Sequence, residues 1–173
     1  MLNTLLFKLS GRLPCRLIHV DGRPYLERYF VGTWLGVTVY LHRFIRGDGD
    51  RHAHNHPFNA RALVLCGGYI EQVVSDISNA TPEGVVTYEH RVRFWNAIPS
   101  NKFHRITHVT PGTWTLVLRG GRVTTSDGIR KGWGFLERNG GGGDIAFRPA
   151  PGGGIGAWHN TAHRGSQSGR VQL

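Results

Sequence analysis

The chain has 173 residues, 25 of them glycine, and a formal net charge of +10 at pH 7. This length suits one domain, and the glycine content argues against a mainly helical protein. The sequence contains no run of about 18 apolar residues, the length needed to cross a membrane as a helix. The positive charge is spread over scattered arginines. Such a distribution is compatible with nucleic-acid binding, with solubility, or with attraction of a small anionic molecule.

The amino-terminal residues 1–9 contain an apolar run broken by Lys8. No positively charged stretch precedes this run and no small-residue cleavage site follows it, so we predict that the segment belongs to the fold. The two cysteines, Cys15 and Cys66, are far apart in sequence, and nothing around them favours a disulfide. We therefore expect a reduced, cytoplasmic protein.

Short apolar or alternating segments, separated by turn residues, predict a series of strands. In chain order these cover residues 17–20, 25–31, 36–44, 60–66, 69–75, 85–95, 102–109, 113–119 and 133–137. The Asp-Gly-Arg-Pro sequence at 21–24 predicts a turn between the first two strands. Closely spaced strands of this kind predict an all-β sandwich or barrel.

The composition changes near residue 139, where two glycine runs begin at Gly140 and Gly152. Such segments have few side chains that could form a core. We therefore divide the chain into a β-barrel body at 1–138, with its core at about 25–137, and an irregular glycine-rich tail at 139–173.

Three histidines alternate with other residues in one polar segment: His52, His54 and His56, followed by Pro57. Residues two apart on an extended strand project to the same face, about 6.6 Å apart along the strand. Imidazoles at that separation can converge on a metal ion with bonds of about 2.1 Å. His52 and His56 are twice as far apart, so the ligand pair is either His54 with His56 or His52 with His54.

A further ligand has to come from another part of the chain. His104 and His108 are candidates because they lie four residues apart and would share one face of a straight strand. They follow a turn that Pro99 and Asn101 favour.

These two segments resemble the two sequence motifs of the cupin superfamily. The residues that carry the resemblance are His54, His56 and Gly67 or Gly68 for the first motif, and Pro99, Asn101, His104 and His108 for the second. The pattern departs at the first motif's glutamate, which falls on Ala60 or Arg61. It also departs at three positions of the second motif: its leading glycine is Arg93, its inner glycine is Asn101, and its terminal asparagine is His108.

The chain is also similar to one uncharacterised branch of small bacterial and phage cupins. The shared features are the His-x-His-Pro-aromatic step at 54–58, the Gly-Gly-Tyr turn at 67–69 and the Trp-Gly-Phe sequence at 133–135. The resemblance covers about residues 25–137 and leaves the glycine-rich tail outside it.

The resemblance implies a single small cupin-type β-barrel, a jelly-roll-like double-stranded β-helix. It implies one metal ion held by His54, His56 and His104, with His108 and His52 as further candidates. Such a site is similar to that of the three-histidine cupin oxygenases, including dioxygenases that act on small anionic molecules. Imidazole ligands alone do not select the metal, so Fe(II) is the first expectation and Zn(II) or Ni(II) are alternatives.

Three further residues are candidates for roles at the site. Glu71 is the carboxylate nearest to the lost motif glutamate, and it is a candidate partner of a ligand imidazole, a general base, or an exposed residue. Arg61 would bind an anionic substrate if it pointed inward. Tyr40 would line the pocket if its strand presented it to the site.

Two other functions stay open at this stage. The missing glutamate is compatible with a non-catalytic cupin that only binds a ligand. The positive charge and the glycine-rich tail are compatible with a nucleic-acid-binding or virion-associated protein on the same scaffold. Cupin barrels often dimerise by exchanging or pairing edge strands, so the resemblance also implies a homodimer, which would cover an open sheet edge.

Overall fold

The computed structural model describes residues 1–48, 52–81, 84–138, 145–150 and 157–171, except for the side chains of 76–81, 84 and 138. The helices and strands within these residues are α1 (Leu2–Ser10), β1 (Cys15–Val20), β2 (Arg23–Trp34), β3 (Val37–Phe44), β4 (Phe58–Cys66), β5 (Tyr69–Thr81), β6 (Gly84–Val92), β7 (Trp95–Ile98), β8 (His104–Val109), β9 (Trp114–Arg122), β10 (Gly134–Arg138), β11 (Ile145–Pro149), and short 3-10 helices at Trp158–Asn160 and Gly165–Gln167. No helix in the described part of the chain is long and apolar enough to cross a membrane.

The strands form two antiparallel layers. The large sheet has the order β1-β2-β3-β9-β4-β7, and a smaller sheet has the order β6-β5-β8. Residue His54 forms isolated bridges to His104 in β8 and to Phe135 in β10, so it links the smaller sheet to the β10–β11 pair. The all-β class predicted from the sequence is confirmed, but the described sheets do not close into a barrel.

Turn chemistry explains how the first three strands of the large sheet pair. Asp21 and Gly22 have φ angles of 52° and 71°, and Leu35 and Gly36 have φ angles of 47° and 77°. Two successive residues with positive φ make the tight turn that matches the twist of a hairpin. The turn predicted at 21–24 is present, whereas the second turn uses a leucine where glycine or asparagine is usual.

The main core lies between the two sheets. Tyr25 and Phe44 from the large sheet pack with Tyr69 and Ile106 from the smaller sheet. These residues alternate with outward-facing ones along their strands, as a half-buried sheet requires. The core therefore fixes the separation of the two layers at one end of the molecule.

The opposite face of the large sheet is partly covered by α1, which the sequence had not predicted as a helix. Its Leu6 and Phe7 pack on Tyr29 and Trp114, and the Trp114 indole donates a hydrogen bond to Asn3 (2.9 Å). The amino-terminal segment therefore packs against the outer face of the large sheet.

The carboxy-terminal residues also dock on this region. The backbone of Val171 donates to the buried Glu27 carboxylate (2.8 Å), and Arg43 donates to the Val171 carbonyl (2.7 Å). The division at 138 stays a prediction: β10 ends at Arg138, and its partner β11 (Ile145–Pro149) lies beyond that position. The glycine runs beginning at 140 and 152 lie outside the described residues.

Candidate metal centre

Three imidazoles converge between the two sheets. One ligand nitrogen from each of His54, His56 and His104 lies within 4.8 Å of the others, and Nε2 of His56 is 3.0 Å from Nε2 of His104. Two nitrogens in adjacent positions around an octahedral ion would be about 3.0 Å apart for bonds of about 2.1 Å. The spacing of these donors therefore fits a single transition-metal ion.

Backbone pairing sets the positions of two of these histidines. His54 and His104 exchange both of their backbone hydrogen bonds, at 2.9 and 3.0 Å, so they lie directly opposite each other. Directly paired residues of antiparallel strands present their side chains on the same face. The adjacent Asn55 fixes this segment because its side-chain oxygen accepts a hydrogen bond from the backbone of Gly134 (2.9 Å). His56 follows where the chain crosses toward β4.

A fully buried carboxylate lies behind one ligand. Nδ1 of His104 donates to Oε1 of Glu71, while Lys102 donates to Oε2 (2.6 Å) and Asn96 donates to Oε1 (3.1 Å). Burial by itself would raise the pKa of Glu71, but the hydrogen bonds and charges of His104 and Lys102 outweigh it and lower that pKa to about 2. Glu71 is therefore an anion that accepts a hydrogen bond from Nδ1 of His104, while Nε2 of the same ring lies 3.0 Å from Nε2 of His56.

The inner face of the large sheet forms the opposite wall. His42 is buried there and accepts a hydrogen bond from Nε of Arg28 (3.1 Å). Burial, followed by the charges of Arg28 and His56, lowers the pKa of His42 well below its usual range, so this imidazole is neutral. The ring of Tyr40 lies beside His42 and also stacks on Trp158 from the carboxy-terminal segment (centroids 6.2 Å apart).

The structure separates the predicted ligands into two groups. His54, His56 and His104 come together, whereas His108 and His52 are exposed. The straight-strand argument for His108 was wrong because β8 contains a bulge. Ile106 and His108 are two residues apart, but their partners are consecutive residues of β5, so one residue of β8 is unpaired. The bulge turns His108 to the outside, where it lines a surface cavity of about 370 Å³.

Arg61 also lies away from the site, which corrects the expectation that it points inward. Ala60 and Ala62 on either side of it pack in the inner cluster of the large sheet, so strand alternation sends Arg61 outward. Its guanidinium lies over the exposed ring of Trp95, 5.8 Å from the centroid. Of the other two candidates, Glu71 contacts His104 and Tyr40 lies on the inner face.

Sequence reasoning missed three residues around the site: Arg28, Asn96 and Lys102. Lys102 has a weak signal in the sequence, because it lies two residues before His104 and therefore on the same side of an extended segment. Arg28 and Asn96 have no local signal. Their positions depend on which strands become neighbours across the two sheets.

Two antiparallel sheets with a histidine pair beside β4 and a third histidine on β8 reproduce the arrangement that the sequence motifs implied. The fold is cupin-like. Solved structures similar to this chain include Fe(II)-HppE with the alternative substrate (S)-1-HPP (TM-score 0.47, 14% identity, 65% of this chain and 57% of that chain). Others are the DMSP lyases RdDddP and RnDddQII (TM-score 0.47, 17% identity, 72% and 63%) and the capsular polysaccharide assembling protein CapF from Staphylococcus aureus (TM-score 0.45, 16% identity, 72% and 32%).

The chain spans little more than half the length of the HppE structures. No protein-family model and no curated protein sequence matches it.

Proposed function

We propose that the protein is a mononuclear metal enzyme, an oxygenase that acts on a small anionic substrate through His54, His56 and His104. The observation that carries this proposal is the convergence of the three imidazoles together with the buried Glu71 behind His104. A carboxylate that fixes the tautomer of a ligating histidine is the usual partner of such ligands. Three neutral ligands leave the full charge of a divalent ion in place, which favours an anionic substrate.

The chain's own residues would prepare this site for the ion. Glu71 holds the proton of His104 on Nδ1, and Lys102 balances the buried charge of Glu71. A bound Fe(II) ion would supply the redox chemistry of a dioxygenase, whereas Zn(II) or Ni(II) would act as a Lewis acid. The neutral His42 faces this region from the other sheet.

Elemental analysis of untagged protein tests the proposal. We expect about one equivalent of metal in the wild type, and loss of that metal in His54→Ala and His104→Ala. The matched controls are His108→Ala and His19→Ala, which should retain the metal because both side chains are exposed and lie outside the triad. A wild-type protein that takes up no metal after reconstitution, or a His108→Ala variant that loses it, would refute the assignment.

The metal found then directs the activity assay. Iron leads to oxygen-consumption measurements with a panel of small carboxylates, and zinc or nickel leads to hydrolysis and isomerisation assays. A protein that holds metal without turning over any of them would support the alternative of a non-catalytic binding module.

A second candidate function comes from the outer face of the smaller sheet. Arg91, Arg93 and His108 line the surface cavity there, and none of the described residues that line it is acidic. Such a basic face, on a chain with a net charge of +10, would bind nucleic acid through its phosphates. The affinity for non-specific DNA should then fall steeply with salt, and it should weaken in an Arg91→Ala/Arg93→Ala variant. No binding at low salt would exclude this function.

We also propose a homodimer. Leu63 and Trp95 are cross-strand neighbours on the outer face of the large sheet, and both are more than one third exposed. Light scattering should give twice the monomer mass for the wild type and the monomer mass for Leu63→Asp. A monomeric wild type would remove this proposal.

A further inference from the structure

Three polar residues form one row across the inner face of the large sheet. Arg28 pairs with His42, and His42 pairs with Thr115, so β2, β3 and β9 place them side by side. His42 is 8% exposed and Thr115 only 1% exposed. Polar groups buried to this extent normally have hydrogen-bond partners, so the partners of this row decide what it does.

The hydrogen bond between Arg28 and His42 fixes the tautomer of the imidazole. A guanidinium can only donate, so Nε2 of His42 must accept, and the ring proton is on Nδ1. This bond uses only Nε of Arg28. In the described part of the chain no carboxylate pairs with Arg28: Glu27 pairs with Arg43 on the outer face, and Glu71 bonds to His104 and Lys102.

Thr115 provides a second, independent observation. Its hydroxyl is buried and has no hydrogen-bond partner among the described residues. A buried hydroxyl of this kind costs stability unless another molecule satisfies it. The row therefore offers the terminal nitrogens of Arg28, the Nδ1 proton of His42 and the hydroxyl of Thr115, and it contains no negative charge.

The free edge of the guanidinium selects the ligand. With Nε occupied, the two terminal nitrogens form a fork that matches the two oxygens of a carboxylate. The aromatic rings of Phe30 and Tyr40 lie on the same inner face, one row away, and Tyr40 lies beneath the Arg28 guanidinium (5.5 Å). His159 and Trp158 already stack on these two rings, so it is the row of donors, and not a free aromatic face, that selects a carboxylate.

We propose that Arg28, His42 and Thr115 bind the carboxylate group of the substrate, opposite the three metal-binding histidines. The inference rests on the proposed function only in calling the bound molecule the substrate. Carboxylate binding by this row does not itself require a metal, which allows the two proposals to be tested separately.

Calorimetric titration with benzoate tests the inference, and neutral benzamide is the control for the ring. The measurement is made on the full chain, both metal-loaded and treated with a chelator. In both forms Arg28→Gln should bind benzoate about tenfold to hundredfold more weakly than the wild type, since a hydrogen bond to a charged group is lost. The matched control Arg148→Gln removes an exposed arginine and should leave the affinity unchanged.

Thr115→Val provides a second test of carboxylate binding in case Arg28→Gln does not fold. The valine has the same shape and removes a hydroxyl that lacks a partner in the described residues, so its stability should equal or exceed that of the wild type. Its affinity for benzoate should nevertheless fall severalfold. An unchanged affinity in both variants, equal binding of benzamide, no binding of benzoate to the wild type, or tighter binding of inorganic phosphate would each overturn the carboxylate assignment.

The outcomes also separate the two proposals. If the wild type takes up no metal but its benzoate binding still depends on Arg28, carboxylate binding by the row is supported and the assignment as a metal enzyme is refuted. If the wild type holds metal and its benzoate affinity is unchanged by substitution of Arg28 and Thr115, carboxylate binding by the row is refuted and the metal centre is still supported.

Discussion

Replacing Glu71 with glutamine should damage both the fold and the metal centre. The glutamine keeps the shape of the side chain, but its amide nitrogen must face either Lys102 or the Nδ1 proton of His104, and both of these are donors. Glu71 is fully buried and the side chain of Lys102 is only 12% exposed, so water cannot replace the lost charge. Removal of one partner from a buried ion pair costs about 3–5 kcal/mol.

The same substitution should weaken metal binding. Without the carboxylate the His104 ring loses the group that fixes its tautomer, and loss of such a partner lowers metal affinity about 10- to 100-fold. This corresponds to about 1.4–2.7 kcal/mol of binding free energy. Urea unfolding of the metal-free protein, followed by tryptophan fluorescence, measures the first effect. Competition with a chromophoric chelator measures the second.

Glu137→Gln is the matched control, because its partner Arg148 has a side chain that is 72% exposed. An exposed pair of this kind contributes at most about 1 kcal/mol, and it does not touch the histidines. A Glu71→Gln variant with a wild-type metal affinity and a loss of stability no larger than that of Glu137→Gln would refute the role given to Glu71. In a double-mutant cycle, Glu71→Gln with Lys102→Met should cost at least about 1 kcal/mol less than the sum of the single changes.

Three further predictions concern residues outside the triad. Glu27→Gln should lower the free energy of unfolding by about 3–5 kcal/mol, because it leaves the buried Arg43 without its charge partner, while metal content stays unchanged by elemental analysis. The pKa of His42 is lowered in the folded state, so its contribution to stability is complete above its unfolded pKa and is lost as the pH falls toward its folded pKa. Below about pH 6.5, urea unfolding should therefore show that the wild type loses more stability than His42→Gln does, by up to about 1.4 kcal/mol per pH unit. Leu35→Asn should raise stability by about 1 kcal/mol in the same assay, because leucine at a φ of 47° is strained and its side chain is fully exposed; a destabilised variant would contradict this explanation.

Much of the fold could be predicted because the deciding signals are local. Alternation along 36–44 and the Asp21-Gly22 turn are properties of a few consecutive residues, and the structure has β3 at Val37–Phe44 and a turn at that dipeptide. The alternation of His54 and His56 is equally local, and it places both rings near His104.

The remaining features depend on contacts between distant segments. A single unpaired residue in β8 reverses the direction of His108, and the sequence contains no signal for such a bulge. The helix α1 is short and is held by Trp114, more than 100 residues later in the chain. Arg28 comes to face the histidines only because the two sheets pack against each other.

The sequence departs from the cupin motif by lacking its glutamate, and this changes the charge of the site in a way that favours the proposed anionic substrate. At the place of the motif glutamate the inner face carries Ala60, so a metal ion would have three neutral ligands and would keep its full charge. The carboxylate of Glu71 lies one step away, behind His104, and Lys102 already balances it. The facing wall adds the cation of Arg28 and no acid among the described residues. Among the described residues, the charges left without compensation at this centre would therefore be positive once a metal is bound, and an anionic ligand that reaches from the metal to Arg28 would complete it.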